Sequence, residues 1–491
     1  MIRQTSAATV LVLACVFLAS CSGVPGGGCA VNCGGGNASI SLVLTATPPS
    51  PTAQLSIQTF TATIAGITLT PATGATVNVS LNSSAYIADF NRVTSDSTLL
   101  AAQVSVPAGN YTHMAITFSA PRVAFCTQAN PGVPGCAAGT LQSMTGAAGT
   151  ATISTNFSIA ANQQSGIALN ANIGNALTLN GQTVTAVNLG AANIFSATAL
   201  PPSSATTDLA SGELSHVDDV MGLVGSVSGS TLTIQTSTRG NITATANSST
   251  QFSADCTTLG FAQDFTCVNA NTIAIVDTLL NADGTLTLVF YQPFPATVFT
   301  GDLLEGVVTG VPNSVTGQFT VVVTDSVFAS SGSLLSGQLH LGDQIVVTLS
   351  SPNPFQIVSK GLQIPTGSTF AGSTSVADIL PGQTVAIAVS AFTAQAGATP
   401  GTASSQNLAL RFTRFTADIG TATLPVFNAT NFPPFFGLTT GQQFQTTSGR
   451  LSLDGVSNLT SIAAGGTFST TALYVGPPVA PSFSVLSVRA H

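Results

Sequence analysis

The chain has 491 residues, of which 44% are apolar and only 5% are Asp, Glu, Lys or Arg, against roughly 25% charged residues in an ordinary globular protein. With 9 basic and 17 acidic side chains the formal net charge is −8, which leaves no basic surface to neutralise a phosphate backbone and argues against nucleic acid as a partner. Heptads of Glu, Lys and Leu for a coiled coil are missing, and the apolar content, with 27 Phe, is too high for charge-driven disorder.

The first elements in chain order form an export signal. Arg3 supplies a positive start, and Ala7 to Leu18 is an apolar run too short to remain as a spanning helix. It leads into Leu18-Ala19-Ser20-Cys21, which resembles the lipobox of bacterial lipoproteins. That resemblance implies a signal peptide over 1–20, a diacylglyceryl group on Cys21 and attachment to a membrane without crossing it. Ser22, where inner-membrane retention signals usually carry Asp, implies outer-membrane placement. Residues 21–38 are Gly-rich and are expected to act as a tether. Beyond the first twenty residues no apolar run is long enough to span a bilayer.

Cys15 falls in the signal and Cys21 at the anchor, which leaves three local pairs: Cys29 with Cys33, Cys126 with Cys136, and Cys256 with Cys267. In an oxidising envelope such pairs are candidate disulfides. A zinc site would need a His or a second pair nearby, and none is present.

From residue 39 onward the pattern has period two. Val77, Val79 and Leu81, then Leu286, Leu288 and Phe290, then Phe319, Val321 and Val323, then Leu408, Leu410 and Phe412 alternate mainly with Thr, Ala, Gln or Ser, as half-buried strands do. The chain is therefore expected to be all-β: an N-terminal β-sandwich over 39–200, a linker at 201–215, and tandem small β-barrel or sandwich repeats over 216–297, 298–416 and 417–491. One exception is Ser95 to Gln103, where Ser and Asp precede a short apolar run that suits a helix.

Within 39–200, Pro107-Ala108-Gly109-Asn110-Tyr111 reads as a corner. Pro107 fixes φ, Gly109 permits the bend, and Tyr111 buries its ring while its hydroxyl bonds backbone across the turn. This arrangement over 39–125 resembles a bacterial domain of unknown function, number 4382, found in lipoproteins. The acidic residue that the family often carries near Thr45-Ala46-Thr47-Pro48 is absent here.

The second half repeats. Met221-Gly222-Leu223-Val224-Gly225 matches Glu305-Gly306-Val307-Val308-Thr309, and Gly-turns at Gly342, Gly382 and Gly465 each open a strand. These segments resemble domain of unknown function 5666, a family of small barrel-like repeats. The copy over 417–491 lacks a clear opening motif.

Few residues are available for chemistry. Glu213, His216, Asp218 and Asp219 form the densest polar cluster, and His216, Asp218 and Asp219 are weak candidates for a metal. A charged junction next to the linker explains them more simply, so no metal or other cofactor is expected. Asn281-Ala282-Asp283-Gly284 echoes a calcium loop without its downstream Glu, and a hairpin turn suits it better. His113 is read as a solvent-facing strand residue and His340 with Asp343 as a turn-capping pair. Phe427, Phe432, Phe435 and Phe436 are read as core or inter-domain packing rather than an exposed apolar surface. No motif of a hydrolase, zinc protease or phosphate-binding loop occurs.

The sequence thus points to an exported, lipid-anchored envelope protein of non-catalytic binding or structural type. The membrane, and an envelope protein or a glycan, are the expected partners. A polysaccharide-binding or polysaccharide-processing accessory protein is the alternative.

Overall fold

The computed structural model describes residues 36–49, 56–127, 133–137, 139–200, 213–294, 299, 301–423, 425–438, 442–446, 451–455, 458–476 and 482–491. The expected signal, Cys21, Cys29, Cys33 and residues 201–212 of the expected linker lie outside them.

Strand alternation produces an all-β chain. Its N-terminal part is a sandwich of two sheets. One has the order Phe195–Leu200, Gln164–Asn172, Asn37–Thr47, Thr98–Pro107. The other is built around Ser56–Pro71, flanked by Arg122–Cys126 and Gly109–Phe118. Ile40, Leu42 and Leu44 from the first sheet meet Phe60, Ile64, Met114 and Ile116 from the second in one core. The intervening Val43 is equally buried, but against a different unit. This is why Leu42-Val43-Leu44 reads as a continuous apolar run rather than an alternating one: both faces of the strand are covered.

The helix expected over Ser95 to Gln103 does not form. A short 3-10 turn at Arg92–Thr94 precedes a strand, Thr98–Pro107, in which Leu99 and Leu100 pack on opposite sides of the sheet. Burying both faces outweighs the weak local signal from Ser95 and Asp96. The corner forms as read, with the Tyr111 hydroxyl donating to the Pro107 carbonyl at 2.6 Å. A bulge between Tyr111 and His113 turns the tyrosine inward and leaves the histidine exposed. The two therefore do not share a face, contrary to strict alternation.

Three five-stranded barrel units follow, of which the first is closed on itself and the other two, with the same pairing pattern, share one 13-stranded sheet. The first comprises Glu213–Ser228, Thr231–Gln235, Asn241–Phe252, Ile273–Asn281 and Leu286–Pro293, closed in the order 1-2-3-5-4. Its third and fifth strands pair in parallel, and every other pairing is antiparallel. The second repeats these pairings with Leu303–Val308, Gln318–Val327, Gln344–Leu349, Thr384–Ala388 and Gly401–Ser405 running on into Leu408–Thr423. The third uses Leu408–Thr423, Val426–Thr430, Gln442–Thr446, Thr467–Tyr474 and Phe483–Ala490 in the same way. This is the strand order of the OB-type Greek-key barrel.

The repeated glycines have a steric reason. A Cβ on Gly222 would lie 2.5 Å from the Gln235 carbonyl oxygen, and one on Gly306 would lie 2.8 Å from that of Val322. At both places the second strand of the barrel crosses tightly over the first.

The third copy shows no opening motif because its first strand is also the end of the second barrel. Leu408 to Arg411 pair with Thr384–Ile387, while Phe412 to Asp418 pair with Thr467–Leu473. The boundary expected between 416 and 417 falls inside this strand, and that between 215 and 216 falls inside Glu213–Ser228.

The units also share cores. Val43 and Leu99 of the sandwich belong to the apolar cluster of the first barrel. The loop closed by the Cys126–Cys136 disulfide reaches between the other two barrels, where the Gly135 amide donates to Phe435 O and the Cys136 amide to Thr309 O, both at 2.7 Å. Cys256–Cys267 closes the connection between the third and fourth strands of the first barrel. The phenylalanines at 427, 432, 435 and 436 join Phe415, Phe444, Phe468 and Phe483 in the core of the third barrel.

A fragment beginning at residue 417 lacks Phe412 to Thr416, the greater part of the ladder to Thr467–Leu473. It is expected to show no folded β signal by circular dichroism. A cooperative melt of that fragment would show that the third barrel does not need the shared strand.

Candidate functional site

The charges missing from the surface are concentrated where the four units meet. Arg3 and Arg450 lie outside the described residues. Each of the other basic side chains, Arg92, Arg122, Arg239, Lys360, Arg411, Arg414 and Arg489, contacts a carboxylate.

Asp219 is the hub. One carboxylate oxygen accepts from Arg411 Nη2 at 2.9 Å and lies 3.6 Å from Lys360 Nζ, and the other accepts from Arg414 Nη2 at 2.5 Å. The Asp219 carbonyl accepts from Arg92 Nη2 at 2.5 Å. Arg411 Nε continues to Glu305 at 2.8 Å, and Arg92 and Arg239 converge on Asp325 at 3.0 and 2.8 Å. Arg92 comes from the sandwich, Asp219 and Arg239 from the first barrel, and Glu305, Asp325, Lys360 and Arg411 from the second. Arg414 sits on the part of the shared strand that belongs to the third barrel.

Local backbone geometry sorts the two neighbouring aspartates. A bulge between Val217 and Val220 places both valines in the barrel core, with Asp219 at φ 51°. Asp219 is fully enclosed, whereas Asp218 stays at the wall of a cleft. Burial by itself would raise the Asp219 carboxyl, but Arg411, Lys360, Arg414 and Arg92 hold it well below the usual carboxylate range. At Asp218 the lowering influence of His216 and Lys360 is outweighed. Burial, and then the nearby Asp277 carboxylate, push it up to about 7.

The cleft has a volume of about 590 Å³ and lies between the four-stranded sheet of the sandwich, the opening strand of the first barrel and the last strand of the third. Its lining is mainly apolar, from residues such as Val43, Leu200, Leu214 and Leu453; Thr45, Asn170, Ser215 and Ser487 add hydroxyl and amide groups, and Asp96, His216, Asp218, Asp454, Arg489 and His491 are its ionisable members. Arg489 Nε donates to Asp454 at 2.6 Å, and its Nη1 donates to the carbonyls of Val93 and Asp96 at 2.9 and 2.5 Å. The third barrel is thereby clamped to the sandwich. Burial, and then Arg489, press the His491 imidazole down to about 4.

Of the residues singled out in the sequence, His216 and Asp218 line the cleft while Asp219 turns away into the ion network. Among the described residues no group of three or more His, Cys, Asp or Glu could hold a metal ion. His340 and Asp343 cap a turn as read, with the His340 amide donating to Asp343 Oδ2 at 2.9 Å. Asp343 also binds Arg122 of the sandwich at 2.7 Å. The Asp283-Gly284 segment is a hairpin turn, with Gly284 at φ 76°.

Sequence reasoning missed Arg92, Glu305, Asp325, Lys360, Arg411 and Arg414. Their signal was present: an Arg within the apolar alternation Leu408-Ala409-Leu410-Arg411-Phe412 is unusual in so uncharged a chain. The strand was read as having one solvated face, but both its faces are covered. No protein-family model matches the chain, and no curated protein matches it. The likeness to the two domain families rests on the residues quoted for it.

Asp219→Ala leaves buried cations unmatched and is expected to cost about 3–5 kcal/mol in urea unfolding; a loss below about 1 kcal/mol would contradict the network. Because the Asp219 carboxyl is held low, its contribution is present above the unfolded value of about 3.9 and is lost only as pH falls through the lower folded value. Asp218 has the opposite sign. Its raised carboxyl favours the folded state below about pH 4, and that advantage is lost as pH rises through about 7. Asp218→Asn is therefore expected to exceed the wild type at pH 8 by on the order of 2 kcal/mol, with the gap closing toward pH 4. A gap independent of pH would contradict this.

Proposed function

We propose that the chain is a lipid-anchored cell-envelope protein, exported and placed in the outer membrane, of non-catalytic binding or structural type. Of these two roles the cleft favours binding. The observation that carries this reading is that three units jointly wall a cavity of about 590 Å³ whose apolar lining is set with hydroxyl, amide and ionisable groups, a size and mixture suited to a small ligand. Among the described residues no helix is long and apolar enough to cross a membrane, which is compatible with attachment through Cys21. Resemblance to the lipoprotein domain family and to the family of barrel-like repeats belongs to the same proposal.

The OB-type barrel hosts readers of oligonucleotides and of oligosaccharides, but a fold does not specify its ligand. Oligonucleotide binding needs a basic groove, and every described cation is paired with a carboxylate. A polysaccharide-accessory role is supported by the hydroxyl and amide groups in that lining. It would have to work without aromatic stacking by Trp or Tyr: the chain has no Trp, and Tyr86, Tyr111, Tyr291 and Tyr474 are all buried. Recognition in the cleft would then rest on hydrogen bonds.

Two measurements test this reading. Incorporation of labelled palmitate is expected in the wild type and should vanish in Cys21→Ala; retained labelling would refute the anchor. In thermal-shift titrations with soluble oligosaccharides and peptidoglycan fragments, at least one probe should raise the melting temperature of the wild type and leave Thr198→Trp, which fills the cleft, unchanged. Equal shifts in both proteins, or none with any probe, would overturn the assignment of the cleft.

A further inference from the structure

Lys360 is the single lysine of the chain, and it occupies a position where a buried ion pair would ordinarily use arginine. Its side chain is fully buried. Its ammonium contacts Asp277 Oδ1, lies 3.6 Å from Asp219 Oδ1 and sits 5.4 Å from the centre of the Phe412 ring. Every other described cation in the network is Arg, whose planar fork satisfies carboxylates at lower cost of ordering. Lysine differs in one respect that matters here: once it has given up a proton, its amine is a nucleophile.

The surroundings suit that chemistry. Asp277 lies on the fourth strand of the first barrel and Lys360 on the connection between the third and fourth strands of the second, so the contact joins two units. The Asp277 oxygen facing Lys360 also accepts the Asp219 amide at 2.8 Å, a backbone donor placed to stabilise negative charge on that oxygen. The Lys360 amide is fixed by Gln292 Oε1 at 3.0 Å. Lys360 and Asp219 both adopt φ 51°, a conformation that non-glycine residues hold only where the surroundings enforce it, often at sites of chemistry.

We infer that Lys360 and Asp277 form an intramolecular isopeptide bond that covalently joins the first barrel to the second. Nζ gives up one proton and the carboxyl takes one up on Oδ2, the oxygen that does not face the Asp219 amide. The freed lone pair on Nζ then attacks Cγ of Asp277, so the Nζ–Cγ bond forms and the carbonyl oxygen takes up negative charge facing the Asp219 amide. A second proton leaves Nζ as the Cγ–OH bond breaks. The products are an amide and one water, with no oxidant or reductant involved. Asp218, raised to about 7 by burial and by the Asp277 carboxylate, is a nearby group able to hold a proton at neutral pH during this transfer. Bond formation removes one cation and one anion together, so the network stays balanced.

A single lysine makes the test direct. The purified wild-type protein is reduced, alkylated, unfolded in urea and digested with endoproteinase Lys-C, which cuts only after a lysine with a free side chain. The expected result is an uncut chain, together with a single tryptic peptide spanning 240–411 that is closed into a loop between Asp277 and Lys360 and is lighter by one water than its linear sequence. In Asp277→Ala the chain should be cut at Lys360. Cleavage of the wild type into two fragments of unmodified mass would overturn the inference. Because the wild-type result is decisive, failure of the variant to fold does not affect the test.

Discussion

A carboxylate enclosed away from water needs cations held at fixed positions around it, and those of Asp219 are drawn from all over the chain. Arg92, Lys360, Arg411 and Arg414 reach it from the sandwich, the second barrel and the shared strand. Removing any one unit would leave the remaining charges buried and unmatched, and a single unmatched buried charge costs several kcal/mol. Four units with their own cores are thereby bound into one body. The cleft exists because of that arrangement, since its walls come from three units that the ion pairs hold in register.

The network also gives the low charge content its meaning. Surface strand faces are built from Thr, Ser and Asn, as in the cross-strand pairs of Thr231 with Thr245 and Thr233 with Thr243. The charges that a typical protein spreads over its surface are spent between units. A scarcity of ionisable groups is compatible with a buried polar centre when the few groups converge. Ion pairs of this kind are better at fixing a unique arrangement than at adding net stability over an apolar contact, which suits a body whose cleft depends on exact relative placement of its parts.

Much of the architecture was legible because strand alternation and Gly-turns are local. Phe319, Val321 and Val323 announce a half-buried strand by spacing alone, and Gly382 and Gly465, both at positive φ, open the fourth strands of the second and third barrels. The Tyr111 corner was legible for the same reason. What stayed hidden was non-local. Nothing near Asp219 in sequence reveals that a bulge turns it inward, or that Arg411 and Arg414, nearly two hundred residues away, will meet it. The helix expected at Ser95 to Gln103 was wrong because burial on two faces, a tertiary property, decided that segment. The shared strand erased the sequence boundary between the last two repeats for the same kind of reason: one segment serves two barrels and cannot carry two opening motifs.

The central claim is that the buried network makes the sandwich and the three barrels one cooperative unit. Differential scanning calorimetry of the purified protein tests it most directly. A single transition is predicted, with calorimetric and van't Hoff enthalpies equal and with the whole transition moving when Asp219 is replaced. Separate transitions, or a replacement of Asp219 that lowers one transition and leaves others in place, would contradict it.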